Sequence, residues 1–464
     1  MTPRTLLKRL RAIEVATRPE HPDLTAALAR RWEELPAQVQ TPNQMLGRRL
    51  AGCEGTHGVF PRCNLACAPC YHARDANRVR VDAEHTVEQV NRQMALLREL
   101  RGPGQNAQLI GGEVTLLAPD DHAAALQAMI RHGRKPMSMS HGDFDYDYLR
   151  RLALDPGTGR PRFEHLSFAG HFDSMMYGRR GIKRAGSEAE LNPYRQAFCE
   201  HFARLEREHG VTHYLAHNMT VTPGNIDQVP EVISECRDMG FRMFSFQPAA
   251  FIGNRNRWKE DYRTFHTDEL WDRIEAGAGG RLHWRALQIG DPRCNRTAYG
   301  GYVDQRYIPL LDEDDPRDDA FLKSFLDAFG GMDFAGPRLI LAARLLRGFA
   351  SEPHAVPRTI GWATRAQRRA GGLRALRDGS PRAITYVMHA FMDARVVRPA
   401  WDALQAGTEP TEPDVHEAWE RLQACSYAMA HPDDGTLVPA CAQHAVLDPA
   451  ENARLAALLP LHSG

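Results

Sequence analysis

The sequence predicts an α/β protein whose central part is a partial (β/α)6 barrel, with an N-terminal helical segment before it and a mostly helical C-terminal region after it. Between about residues 57 and 260, short apolar runs alternate with helical patterns. Apolar residues at helical spacing precede this stretch, and a change of pattern follows it. The predicted domains are therefore residues 1–52, 53–260 and 261–464.

Composition limits the classes of protein and partner. The chain has 464 residues, enough for a barrel with added segments. Its 58 basic and 58 acidic side chains balance, so a nucleic-acid partner is not expected. No apolar run approaches the roughly 20 residues that span a bilayer. Nine cysteines without an export signal indicate a reducing compartment, and we expect a cytoplasmic protein.

The spacing of apolar residues predicts the helices and strands. Leu6, Leu10 and Ile13, and later Leu24 and Leu28, predict N-terminal helices. Strands are expected at His57–Phe60, Ala107–Ile110, Pro136–Ser140, His165–Phe168, Tyr214–Thr220 and Met243–Gln247. Intervening helices are expected at Thr86–Leu100, His122–Arg131, Tyr194–Glu208 and Ile226–Met239. Right-handed crossovers place the carboxyl ends of these strands at one edge, where ligands bind.

Beyond residue 260 the pattern is less regular. The paired glycines Gly279-Gly280 and Gly300-Gly301 indicate an irregular segment, and the acidic stretch 312–319 reads as a solvated loop before helices that run to about residue 424. The arginine-rich stretch 358–382 reads as a solvated helix face, with a site for an anionic headgroup or phosphate as the alternative. The apolar helix 339–346 is either core or the wall of a pocket for an apolar substrate.

The strongest functional signal is a cysteine triplet. Cys63, Cys67 and Cys70 have the spacing C-x3-C-x2-C within a single loop. Three thiolates so close together can hold one iron–sulfur cluster, with one iron left open to a small molecule. Zinc is the alternative, but structural zinc sites usually take four ligands in two pairs, and no second pair lies nearby.

A glycine-rich edge follows the next predicted strand. Gly111, Gly112 and Glu113 come directly after the apolar run that ends at Ile110. The glycines allow close backbone approach, and a carboxylate can hold an ammonium group. Paired glycines alone usually mark a turn, so the position after a strand carries the signal.

Together, the two motifs resemble those of the radical S-adenosylmethionine (SAM) superfamily. The resemblance implies that Cys63, Cys67 and Cys70 hold a [4Fe–4S] cluster whose open iron binds SAM, and that the Gly-Gly-Glu edge binds the amino group of SAM. It further implies reductive cleavage of SAM to methionine and a 5′-deoxyadenosyl radical that abstracts hydrogen from a substrate. Flavodoxin or ferredoxin would donate the electron. Many members have an aromatic residue before the third cysteine; here Pro69 takes that place, with Tyr71 as the candidate adenine contact.

Further cofactor contacts are expected at later strand ends. Ser140-His141-Gly142 resembles a Thr-Asn-Gly sequence found there in the superfamily, and Ser167 is a candidate ribose or carboxylate contact. His171, Asp173 and Arg180-Gly181 resemble a loop pattern of the superfamily, although helix capping and loop hydrogen bonds explain His171 and Asp173 equally well. If alternation holds, the polar strand residues face the barrel lumen, where they bind SAM or form structural layers: Asn218, Thr220, Ser245 and Gln247.

The remaining cysteines divide into two sets. Cys199 and Cys236 lie in amphipathic helices and are predicted core residues. The other four occur in irregular contexts rich in glycine or proline, and they either ligate a second [4Fe–4S] cluster or are isolated thiols: Cys53, Cys294, Cys425 and Cys441. The run from Cys425 to Cys441 resembles the C-terminal part of the tetraether lipid synthase group.

The resulting prediction is a radical SAM enzyme that abstracts hydrogen from an unactivated carbon of a small-molecule or lipid-like substrate. A peptide-modifying radical SAM enzyme with an auxiliary cluster is the nearest alternative. A non-catalytic iron–sulfur sensor is an alternative of another class, but a sensor would not need the Gly-Gly-Glu edge.

Overall fold

The computed structural model describes residues 3–68, 70, 72, 74–252, 265–334 and 337–461. An 11-stranded sheet forms its centre, in the order β11-β10-β12-β9-β8-β5-β4-β3-β1-β13-β14, and a 3-stranded sheet has the order β2-β6-β7. The strands are β1 Cys53–Gly55, β2 Ala66–Cys67, β3 Asn106–Leu109, β4 Lys135–Ser140, β5 His165–His171, β6 Met176–Arg179, β7 Ile182–Arg184, β8 Thr212–Val221, β9 Met243–Pro248, β10 Asn295–Val303, β11 Arg306–Pro309, β12 Arg382–His389, β13 Tyr427–His431 and β14 Thr436–Pro439.

Helices lie between these strands. They are α1 Pro3–Ala16, α2 Pro22–Glu34, α3 Ala83–Arg101, α4 Pro119–Arg131, α5 Tyr146–Ala153, α6 Asn192–His209, α7 Val229–Cys236, α8 Thr267–Ala278, α9 Pro316–Phe329, α10 Arg338–Ser351, α11 Ala355–Arg369, α12 Gly372–Asp378, α13 Ala394–Ala406, α14 Pro413–Gln423, α15 Ala440–Ala442 and α16 Asp448–Leu458. A π-helical turn at Gln443–Leu447 joins α15 to α16.

The predicted partial barrel is confirmed. Strands β1, β3, β4, β5, β8 and β9 are neighbours in that order, and each pairs with the next in parallel. The connecting helices pack a continuous apolar core against the sheet. On α3, for example, Val90, Met94 and Leu97 are fully buried at helical spacing. The carboxyl ends of six adjacent strands therefore meet at one edge.

The first strand lies earlier than the sequence predicted. It is Cys53–Gly55, whereas His57–Phe60, the predicted segment, lies outside the paired strands. Gly58 has a φ of 62°, in the left-handed region, and it turns the chain away from the sheet. The fourth barrel strand is longer than predicted, because β5 continues to His171.

The C-terminal region adds strands as well as the expected helices. The sheet continues across residue 260, since β12 pairs in parallel with β9 and β13 pairs in parallel with β1. Each side of the sheet then ends in an antiparallel hairpin, β10–β11 on one side and β13–β14 on the other. Both outermost strands have four residues. Among the helices in the described ranges, none is long and apolar enough to cross a bilayer.

A buried arginine joins α6 to the sheet. Arg195 is fully buried, and its Nη2 donates to Glu188 Oε2 at 2.8 Å. Its Nε donates to His217 Nε2 at 3.0 Å. Burial, with the nearby Arg195 charge, holds the pKa of His217 well below its ordinary value, so the ring is neutral and can accept this bond. The guanidinium thus neutralises a buried carboxylate and orients a strand residue.

Replacing Arg195 by methionine would leave Glu188 as an uncompensated buried charge. We expect Arg195→Met to lower the free energy of unfolding by about 3–5 kcal/mol, measured by denaturant titration. Arg207 is exposed on the same helix, so Arg207→Met is the matched control. Equal stability of the two variants would contradict this role.

Candidate functional site

A cavity of about 340 Å³ opens among the strands of the partial barrel. Alternate residues of each strand face it, as expected for a pleated strand. These residues are Gln108, Met137, Met139, Ala169, His171, Asn218, Thr220, Met243, Ser245 and Gln247. The structure therefore brings the predicted lumen residues Asn218, Thr220, Ser245 and Gln247 to one space.

The cysteine loop closes one wall of this cavity. Cys63, Cys67 and Cys70 all line it. The loop is fixed by backbone pairing, because Cys67 in β2 lies opposite Met176 in β6. It is also fixed by Asn77, whose Oδ1 accepts from the Cys63 amide at 2.9 Å. Three thiols from one loop are thus held at the same cavity.

The Gly-Gly-Glu edge packs directly against the start of that loop. The Gly112 amide donates to Phe60 O at 2.8 Å, and the Glu113 amide donates to Arg62 O at 2.9 Å. A Cβ on Gly112 would lie 1.9 Å from Arg62 O. The close approach that the glycines allow is therefore, in this structure, an approach to the chain's own residues 60–62.

Glu113 is the centre of a buried polar network. Its Oε1 accepts from Ser140 Oγ at 2.8 Å and from Thr115 Oγ1 at 2.6 Å. Its Oε2 accepts from the His141 amide at 2.8 Å. Burial opposes ionisation of Glu113, but the hydrogen bonds from Thr115 and the His141 amide lower its pKa and favour the ionised carboxylate.

His141 connects this network to the cysteine loop. Its Nδ1 accepts from the Asp143 amide at 3.0 Å, so Nε2 carries the proton and donates to Asn64 Oδ1 at 2.8 Å. Burial lowers the pKa of His141, and the ring is therefore neutral. Asn64 lies directly after Cys63, so one histidine joins the end of β4 to the thiol-bearing loop.

His171 and Asp173 lie together at the cavity. His171 Nε2 is 2.6 Å from Asp173 Oδ2, which also accepts from the Thr220 amide at 3.2 Å. Nearby, the guanidinium of Arg179 lies 4.9 Å from the Phe172 ring centroid. Arg179 is buried, and within the described residues its Nε and Nη1 have no hydrogen-bond partner. This leaves two buried donors near the cysteine loop.

The four other candidate thiols converge on the same cavity. Each of them lines it: Cys53, Cys294, Cys425 and Cys441. The parallel pairing of β1 with β13 brings Cys53 beside residues 425–427, since the Cys53 amide donates to Ser426 O at 2.6 Å. All nine cysteines of the chain are thiols, and none forms a disulfide.

Burial and mutual proximity raise the pKa values of three of these thiols, those of Cys53, Cys294 and Cys441. Burial raises the pKa of Cys53 and of Cys294 to about 11 and that of Cys441 to about 12. Cys425 contributes to all three shifts and is therefore their common neighbour. Metal binding would deprotonate such thiols, because thiolates are the ligands.

A buried arginine and a tyrosine complete this thiol group. Arg421 Nε lies 3.2 Å from Cys294 Sγ and donates to it. The hydroxyl of Tyr427 is buried without a hydrogen-bond partner among the described residues, and a Cβ on Gly55 would lie 2.2 Å from it. Buried hydroxyl groups normally have a hydrogen-bond partner, so this hydroxyl near the thiols indicates a site at which a bound group would provide one.

Not every predicted residue reaches the site. Ser167 is hydrogen bonded to His165 near the start of β5 and is not among the residues that line the cavity. Its prediction assumed that the strand ended there. Tyr71 and Pro69 lie outside the described residues. Cys199 and Cys236 are buried in the helical core, as predicted.

The sequence analysis missed a histidine–aspartate pair at the cavity. His444 lines the cavity from the π-helical turn, and its Nδ1 is 2.7 Å from Asp448 Oδ2. Burial opposes ionisation of Asp448, but the His444 ring and its hydrogen bond lower the pKa to about 2. In the sequence, the available signal for this pair was the separation of His444 and Asp448 by four residues, which places two side chains on the same face of a helix. A π-helical turn often marks a functional position.

Two further groups of side chains could hold a metal ion. In the described part of the chain, each has three possible ligands within 4.8 Å of one another: His57–His431–Glu451 and His283–Asp312–Asp314. Neither group includes a cysteine.

A second cavity of about 660 Å³ adjoins the first. The two share the walls formed by residues 248–250 and 390–392 and by Arg421. The second cavity has both aromatic and charged side chains, which include Phe265, Trp284, Arg293, Asp393 and Glu417. It provides further space beside the first cavity.

Comparison with known proteins gives only a weak structural likeness. No family model and no curated protein matches the sequence. Among solved structures, anSMEcpe with bound AdoMet aligns with a TM-score of 0.32 and 13% identity over 48% of this chain. The same protein with AdoMet and the Cp18Cys peptide aligns with a TM-score of 0.31 and 12% identity. The aligned part spans 57% of that protein's length. At these scores the likeness carries no argument about activity.

Any side chain at position 112 should disturb the Gly-Gly-Glu edge. We expect Gly112→Ala to lower the free energy of unfolding of the apoprotein by about 1–3 kcal/mol, because the new methyl group would collide with Arg62 O. Gly157→Ala is the control, since the nearest atom to its Cβ is Asp155 Oδ1 at 3.5 Å. Thermal unfolding monitored by circular dichroism compares them, and an unchanged Gly112→Ala protein would refute the close packing.

Proposed function

We propose that this chain is a radical SAM enzyme that abstracts hydrogen from an unactivated carbon of an apolar substrate. One observation supports this most strongly. The C-x3-C-x2-C thiols and the ionised Glu113 lie on one cavity at the end of a partial parallel barrel. Thiolates suit an iron–sulfur cluster, and an ionised buried carboxylate suits an ammonium group beside it.

The residues present fit a [4Fe–4S] cluster at Cys63, Cys67 and Cys70. The three thiols come from one loop, they line one cavity, and backbone pairing with β6 fixes their loop. A cluster bound there supplies, on reduction by a donor such as flavodoxin or ferredoxin, the electron that cleaves SAM to methionine and a 5′-deoxyadenosyl radical.

The chain's own residues would bind and orient SAM. The Glu113 carboxylate already accepts hydrogen bonds from Thr115, Ser140 and the His141 amide, so it would attract the SAM ammonium mainly by its charge. His141, through its hydrogen bond to Asn64, would hold the Gly-Gly-Glu edge in a fixed position relative to the cysteine loop.

We further propose a second [4Fe–4S] cluster at Cys53, Cys294, Cys425 and Cys441. The four thiols line one cavity, and Cys425 influences the pKa of each of the others. The guanidinium of Arg421 would stabilise the thiolate of Cys294 through the bond from Nε to Sγ. The unpartnered Tyr427 hydroxyl supports the same assignment, because a bound group would give it a partner.

The lining favours an apolar substrate. Five methionines face the main cavity: Met137, Met139, Met176, Met243 and Met392. Thioether side chains provide an adaptable apolar surface. His444, held by Asp448, is a candidate to move a proton at the substrate. The adjoining cavity with Arg293, Asp393 and Glu417 favours a second candidate, a peptide whose polar parts would lie there. A sensor function would use neither the ionised Glu113 nor this second cavity.

Cluster loading and SAM cleavage test the proposal. The reconstituted, dithionite-reduced protein should release 5′-deoxyadenosine and methionine from SAM, measured by mass spectrometry under anaerobic conditions. We expect Cys67→Ala to lose this activity and about four iron atoms per chain, because two thiolates rarely retain a cluster. Cys236→Ala, at a buried thiol outside the cavity, is the control. Full iron and full 5′-deoxyadenosine in Cys67→Ala would overturn the assignment.

The second cluster has an independent test. Replacing all four of Cys53, Cys294, Cys425 and Cys441 by alanine should lower the iron content from about eight to about four per chain. Cys425→Ala alone leaves three thiolates, the number proposed for the first cluster, so it should lose less iron than the fourfold variant. Iron and sulfide analysis provides the measurement, with Cys199→Ala as the control. Unchanged iron in the fourfold variant would exclude this cluster.

A further inference from the structure

The helical layer α10–α12 has a charge unlike that of the rest of the chain. Residues 338–378 contain nine arginines and only two acidic residues, Glu352 and Asp378. The whole chain is balanced at 58 basic and 58 acidic residues. An excess of seven positive charges is therefore confined to one short stretch.

Helix α10 exposes an apolar stripe between two arginines. Leu339 is 85% exposed and Leu346 is 71% exposed, one above the other at a spacing of two turns. The opposite face carries Leu341 and Leu345, which pack against the core of α9. On a helix with 100° per residue, Arg338 and Arg347 flank the exposed stripe on either side. The apolar side of this helix thus faces water in the isolated chain.

The same combination continues on the next two helices. On α11, Val356 and Ile360 are exposed one turn apart, and Ile360 is 63% exposed. On α12, Leu373 is 70% exposed beside Arg374 and Arg377, which are also exposed. We call the exposed side of α10, with Arg338, Leu339, Leu346 and Arg347, the arginine–leucine surface.

Some arginines of these helices form ion pairs inside the protein instead of pointing outward. Arg365 and Arg369 turn inward, where both contact the carboxylate of Asp318 on α9. Arg347 lies 3.9 Å from Glu14 on α1, and Arg374 and Arg377 are near Asp378. Arg338, Arg358 and Arg368 are exposed and form no ion pair within the described residues. Part of the outward charge therefore comes from arginines that the fold does not use.

Helix α1 borders this surface. Arg344 Nε donates to Ala16 O at 2.9 Å, and Arg347 Nη1 donates to Thr17 Oγ1 at 3.0 Å. Leu10 and Ile13 of α1 are each more than half exposed. The contact places further exposed apolar side chains beside α10.

We propose that the arginine–leucine surface docks on an anionic lipid bilayer. Interfacial helices combine an apolar face, which enters the boundary between headgroups and acyl chains, with arginines that meet anionic headgroups. Guanidinium groups bind phosphate oxygens in a bidentate manner. The stripe on α10 between Arg338 and Arg347 has this arrangement. Binding would be peripheral, parallel to the membrane plane.

Two other occupants fit the surface less well. A second copy of the chain would oppose two surfaces that each carry a positive excess, and their repulsion disfavours that pairing. A nucleic acid would use the arginines but would leave Leu339 and Leu346 without an apolar partner. A bilayer satisfies both the charges and the leucines. The proposal stands apart from the cluster chemistry, because neither α10 nor α11 contributes to the cysteine cavity.

Vesicle sedimentation tests the proposal on the full chain. We expect binding to phosphatidylcholine vesicles that contain phosphatidylglycerol, weaker binding in high salt, and little binding to phosphatidylcholine alone. Arg338→Gln should lower the partition coefficient about fivefold, as expected for one basic residue at an anionic surface. Leu339→Ser combined with Leu346→Ser should lower it further and remove the binding that survives in salt.

Matched controls lie elsewhere on the surface. Arg151 is exposed on α5, and Ile130 is 46% exposed on α4, so Arg151→Gln and Ile130→Ser should bind vesicles as the unaltered chain does. Equal binding to vesicles with and without phosphatidylglycerol would overturn the proposal. So would equal losses in the controls. Binding of duplex DNA that depends on the arginines but not on the leucines, without vesicle binding, would assign the surface to nucleic acid instead.

Discussion

The candidate site depends on one buried carboxylate. Glu113 accepts hydrogen bonds from Thr115, from Ser140 at the end of β4 and from the His141 amide, and His141 in turn donates to Asn64 in the cysteine loop. These bonds join the glycine edge, the carboxyl end of β4 and the thiol-bearing loop. In a low-dielectric interior, a fully satisfied network of this kind holds one geometry, because any alternative leaves a buried polar group unpaired.

Local sequence patterns were enough to predict most helices and strands of the partial barrel. Helices such as α3 were predicted because Val90, Met94 and Leu97 recur on one face, and the barrel strands after the first were predicted from short apolar runs. The strand β10 was missed, since Gly300 and Gly301 read as an irregular segment. Their Cβ atoms would lie within 2.6 Å of Tyr307 Oη and Arg382 O, so the glycines mark close packing inside a sheet. Sequence spacing does not distinguish this case from a turn.

The predictions for the candidate site also divide into those based on local motifs and those that depend on strand pairing. The triplet at Cys63 and the Gly-Gly-Glu edge are local in sequence, and both were found. The meeting of Cys53 with Cys425 depends on the pairing of β1 with β13, which no local signal encodes. Ser167 was placed at the cavity because its strand was expected to end at Phe168, but three further residues extend β5 to His171. Tertiary order, rather than residue type, decided these positions.

The hairpins at both sides of the sheet have a consequence for association between molecules. An open parallel barrel offers unpaired backbone groups on its two flanks, and such flanks invite polymerisation. Here the outermost strands, β11 and β14, have four residues each and end at Pro309 and Pro439. Proline cannot donate to an incoming strand. The two flanks of the sheet therefore offer only a short and interrupted template to a strand of another molecule.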